Sequence, residues 1–123
     1  MTLAYWCVLI AALLPYVLIT LAKSGPGFDN KTPREYVERL TGWRKRAYWA
    51  QINSFETFPP FAAGVIIAEL LHANPTTIDK LAIIFIIARI LHGIFYIIDK
   101  HILRSLAWFI GFFSVIGLFV IGA

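Results

Sequence analysis

Amide and ionisable side chains set at helical spacing inside apolar sequence are what point this chain towards chemistry. Asn53 and Glu56 stand three residues apart in one apolar stretch, and Arg89, His92 and Tyr96 recur at spacings of three and four in another. Such spacings put side chains on one face of a helix. Arg46 precedes the first set, and Arg104 and Ser105 stand at the head of a further apolar stretch. A charged group at membrane depth is costly unless paired, so each is a functional-site candidate by default. Glu56 and Arg89 should reach similar depths in an antiparallel helix pair, and a buried ion pair between them is the simplest expectation. The whole set predicts a polar lining drawn from three helices, suited to a small molecule carrying several charges. The competing readings are that these groups only hold helices together, as polar residues in membranes also do, or that Glu56 and Arg89 relay charge in a small transporter.

The elements that must position these residues follow from composition. Of 123 residues, 59% are hydrophobic and 15% charged, which leaves no room for a water-soluble enzyme beside the membrane segments. Stretches at about 2–22, 47–72, 78–98 and 106–121 have the length and apolarity of bilayer spans. The expected fold is all-α: an integral membrane antiparallel four-helix bundle occupying 1–123 as one domain. The second stretch, with Gln51, Asn53, Glu56 and Glu69, is too polar to face lipid all round. Ala107, Gly111, Ser114 and Gly117 form a small-residue stripe on the last stretch that lets another helix approach closely, within the chain or between subunits.

Loop 23–46 carries Lys31, Arg34, Arg39, Arg44, Lys45 and Arg46, and Lys100 and Arg104 follow the third stretch. Short loops rich in Lys and Arg stay in the cytoplasm. Both termini are therefore expected on the non-cytoplasmic side, and the basic excess of 11 Lys and Arg over 7 Asp and Glu is expected to meet anionic lipid rather than nucleic acid. Within the loop, Thr32, Pro33 and Glu35 read as a capping box opening a short helix. Its apolar residues Tyr36, Val37, Leu40 and Trp43 recur at helical spacing, which suits the membrane boundary.

Cys7 is the single cysteine and lies in the first apolar stretch, so it reads as a small core residue. His92 has no second histidine or carboxylate at ligand spacing, and no metal site is expected.

The run from Arg46 through Asn53 and Glu56 to Pro59 and Pro60, with alanine, asparagine, glutamate and proline in that order, resembles the second-helix motif of the MAPEG family, the membrane-associated proteins in eicosanoid and glutathione metabolism. Arg89-Ile90-Leu91-His92 with Tyr96, followed by Leu103-Arg104-Ser105, is similar to the third-helix and loop pattern of its microsomal glutathione transferase and prostaglandin E synthase branch. The resemblance covers essentially the whole chain. It implies a homotrimer of four-helix bundles with glutathione as co-substrate, bound between subunits near the cytoplasmic face. By that likeness Arg46, Asn53, Glu56, Arg89, His92 and Tyr96 would bind glutathione, and Arg104 and Ser105 would serve the thiol as catalytic residues. Trp49 departs from the pattern, since many family enzymes have arginine there.

The implied chemistry is physically coherent. Glutathione offers two carboxylates, an ammonium and a thiol, which several arginines and one glutamate complement through charge-assisted hydrogen bonds. A neighbouring cation such as Arg104 favours the thiolate, which is the nucleophile. The expected activity is glutathione transfer, or thiol peroxidase chemistry, on hydrophobic electrophiles arriving from the bilayer, in a bacterial inner membrane. The family also contains a lipoxygenase-activating protein that binds lipid without catalysis, so a non-catalytic lipid-binding or scaffold role is the alternative.

Overall fold

The computed structural model describes residues 1–123, and all of its regular elements are helices: α1 (Leu3–Ala22), α2 (Pro33–Glu38), α3 (Gly42–Leu70), α4 (Pro75–Ile97) and α5 (His101–Gly122). α1, α4 and α5 are each long and apolar enough to cross a membrane, and the chain is an integral membrane protein. α3 is the longest helix at 29 residues, with Arg44, Lys45, Arg46, Glu56 and Glu69 along it. Pro15, Pro59 and Pro60 lie inside helices without ending them.

Two helices begin earlier than the apolar pattern suggests. α3 starts at Gly42 rather than Ala47, and α5 at His101 rather than Leu106, so Arg44, Lys45, Arg46 and Arg104, read as loop, belong to helices. The turns explain the second case. After α4, Asp99 adopts a left-handed φ of 63°, the Asp99 N–H donates to Tyr96 O and the Lys100 N–H to Phe95 O at 2.8 Å. This pair of bonds ties off the last carbonyls of a helix and reverses the chain within a few residues. The α3–α4 turn repeats it with His72 at φ 56°, where Ala73 N–H donates to Ala68 O and His72 N–H to Glu69 O. Asn74 then caps α4, its side chain accepting from the Thr77 N–H at 3.1 Å.

α2 forms where the capping residues place it, with Thr32 at the cap and Pro33 in the first turn, but the Thr32 hydroxyl makes no capping bond. Its backbone, at φ −133° and ψ 60°, is not the extended conformation that aims the side chain at the first turn. Tyr36 and Val37 are buried while Arg34, Glu35, Glu38 and Arg39 are exposed. Tyr36 also donates from its hydroxyl to Pro26 O, pinning the loop to α2.

The four long helices alternate in direction. Thr2 and Ala4 meet Glu69 and Asp79 at one end, and Arg46 meets Ile97 at the other. Ideal Cβ positions on Gly111 and Gly117 of α5 fall beside Arg89 and Leu81 of α4, which fixes that pair as antiparallel. The main core occupies the half near the chain termini, where Ala4, Cys7 and Ala11 of α1 surround Phe61, Val65, Phe85 and Leu118. Phe61 and Phe85 stack there at 3.9 Å between ring centroids. Small residues on α1 and α3 bring the backbones close, and dispersion between packed atoms then does what water exclusion does in soluble proteins.

Candidate functional site

The opposite half of the bundle holds Asn53, Arg89, His92, Tyr96 and Arg104. Arg89 is 4% exposed, and its Nη2 donates to Asn53 Oδ1 at 2.6 Å. The guanidinium Nε is buried without a partner, as is Nδ1 of His92. Beside Arg89 a cavity of about 310 Å³ opens between α3, α4 and α5, walled by Asn53, Glu56, Thr57, Phe85, Arg89 and Trp108 among others. Glu56 is exposed on its wall. The expected Glu56–Arg89 ion pair is not formed: the one hydrogen bond of the Arg89 side chain goes to Asn53. Helix register is the reason. Arg46 Nε donates to Ile97 O at 3.0 Å, and continuing that antiparallel alignment sets Asn53 level with Arg89 and carries Glu56 on towards Phe85.

Nearer the α2 end, Arg104 lies over the Tyr96 ring at 4.5 Å from its centroid. Tyr96 meets the His92 ring edge-on at 5.6 Å and Trp49 at 6.5 Å. This cluster joins α3, α4 and α5 through a cation over an aromatic face, an arrangement that holds a guanidinium in place without neutralising it. Trp49 stands at the exposed edge of the cluster, beside Tyr96. Ser105 sits next to Arg104 on α5, exposed and without a hydrogen bond. The structure therefore brings Asn53, Glu56 and Arg89 together on one cavity and gathers His92 and Arg104 around Tyr96, while Arg46 bonds the α4 carbonyl end.

Trp108 and Phe112, stacked at 5.0 Å on α5, complete the cavity wall and lie outside the set that sequence reasoning picks out. Their spacing of four places them on one helix face, which was the available signal. The small-residue stripe is an intrachain contact. Ala107, Gly111 and Ser114 are buried, and a Cβ built on Gly111 would lie 3.6 Å from Arg89 Cδ. Cys7 is buried in the main core.

Fold and site together define a helical membrane protein with a cationic, partly aromatic cleft at one end of its bundle. The MAPEG family model matches residues 3–123. The chain belongs to the MAPEG family, which includes glutathione transferases and related enzymes, and membership suggests a glutathione-related function in the membrane. Searches of curated proteins and of solved structures each returned no match.

Proposed function

We propose that the chain is a membrane glutathione transferase, or a thiol peroxidase of the same design, acting on hydrophobic electrophiles that enter from the bilayer. The carrying observation is the juxtaposition of a buried, incompletely bonded Arg89 with the unpaired Glu56 on one cavity wall. A ligand bearing both carboxylate and ammonium groups satisfies both at once. In this reading α3 is a fourth span, both termini lie on the non-cytoplasmic side because loop 23–46 is basic, and the bundle assembles as a homotrimer, as the family likeness implies. Arg104, held over Tyr96, is the cation that lowers the thiol pKa from about 8.5, and Ser105 offers a hydroxyl to the sulfur.

The test is an ultraviolet difference titration of the detergent-purified protein with glutathione near neutral pH. Wild type should generate thiolate absorbance, and Arg104→Ala should reduce the thiolate fraction about tenfold, one unit of thiol pKa. Binding without thiolate in the wild type would sink the catalytic reading and favour a lipid-binding member.

A further inference from the structure

The chain carries a second cationic cavity, away from the cleft, where the loop after α1 folds against α2 and the start of α3. It has a volume of about 400 Å³, and its wall includes Gly25, Tyr36, Arg39, Leu40, Thr41 and Arg44. Arg39 and Arg44 are the charged residues of this wall, and it contains no carboxylate. The nearby acid Glu38 is engaged elsewhere, accepting from the Tyr48 hydroxyl at 3.1 Å.

Arg44 is held in place rather than loose. Its guanidinium lies over the Trp43 ring at 4.4 Å, and its Nε reaches Ser24 Oγ at 3.5 Å, leaving both terminal nitrogens without partners. Gly25 makes this possible: a Cβ there would sit 2.8 Å from Arg44 Nε and 3.0 Å from Cδ. Thr41 precedes α3 with a hydroxyl that caps nothing. Two guanidinium groups and a free hydroxyl around one concavity are the donor set that recognises a phosphate oxyanion.

We propose that this cavity binds the phosphate of an anionic phospholipid headgroup. Lipid is favoured over a soluble phosphate by position: the cavity lies at the end of the spanning helix α1, with exposed Trp43 and half-buried Leu40 beside it, the residue types that sit at a membrane boundary. A bound headgroup would fix α2 and the loop against the bundle through the same two arginines.

The experiment titrates the detergent-solubilised full chain with phosphatidylglycerol and with phosphatidylcholine of identical acyl chains, read by native mass spectrometry. Wild type should hold phosphatidylglycerol about thirtyfold more tightly, the scale expected of two basic groups near an anionic headgroup. Arg39→Gln with Arg44→Gln should abolish the preference, while Lys31→Gln with Lys80→Gln, an equal loss of charge at exposed sites off this wall, should keep it. Gly25→Ala, which displaces Arg44 without removing charge, should cut the preference severalfold and serves if the double arginine variant fails to fold. Equal binding of the two lipids by wild type, or equal losses in the two charge-matched variants, overturns the proposal. Displacement of phosphatidylglycerol by millimolar inorganic phosphate overturns the lipid assignment.

Discussion

The two ends of the bundle treat their polar groups in opposite ways. At the end near the termini, each notable polar group has a partner: the Thr2 hydroxyl donates to Glu69 Oε1, and the Ala4 N–H donates to Asp79 Oδ1, both at 3.1 Å. At the other end, Arg89 Nε and His92 Nδ1 are buried and unpaired, and Glu56 is exposed on a cavity. An unsatisfied buried donor costs free energy comparable to a lost hydrogen bond. One end therefore has its polar groups paired within the chain, whereas the other leaves polar atoms unpaired beside a cavity. Stability and binding should separate between them.

Variants at each end can break that separation. The largest effect on stability belongs to Phe61→Ala, which empties the stacked core of the closed end and should cost about 3 kcal/mol, seen as a lower midpoint when helicity is followed in a denaturing-detergent titration. A loss below about 1 kcal/mol would mean that this end is not the stabilising half. Asn53→Ala strands Arg89 and should cost about 2 kcal/mol, the worth of a buried hydrogen bond to a charged group, so that the open end contributes through one bond where the closed end contributes through packing. Glu56→Gln sharpens the contrast. With no ion pair to Arg89, it should weaken glutathione binding severalfold in calorimetry while shifting the unfolding midpoint by less than about 0.5 kcal/mol; a large destabilisation would show that Glu56 serves the fold. The smallest effect is expected of Asp99→Gly, which relieves a left-handed backbone and should stabilise the protein by about 0.3 kcal/mol, with binding unchanged.

Much of this arrangement was legible in the sequence, for identifiable reasons. Long apolar runs disclose α1, α4 and α5, and spacings of three and four are enough to put Arg89, His92 and Tyr96 on one helix face. What escaped was the register between helices. Nothing in the sequence pattern says whether Arg89 lies level with Asn53 or with Glu56, since the two differ by less than a helical turn. The early starts of α3 and α5 also escaped, because basic residues read as loop. The turns after α3 and α4 gave no warning either: His72 and Asp99 occupy left-handed positions where glycine is the usual signal. By residue type Trp108 and Phe112 look like lipid-facing aromatics, and only the rotation of α5 about its axis turns them towards Arg89.

The bonds from Thr2 to Glu69 and from Ala4 to Asp79 also constrain the order of assembly. α1 leaves the ribosome first, yet the carboxylates that secure its beginning are made only with the end of α3 and the start of α4. α1, which carries no charged residue, can rest in the bilayer before those carboxylates exist. α3, richer in charge, packs most extensively on α1, and α4 and α5 then close over the side that carries Asn53 and Glu56. These bonds can form only after more than half of the chain has been synthesised, and the core beside them is finished later still, when Leu118 near the end of α5 is made.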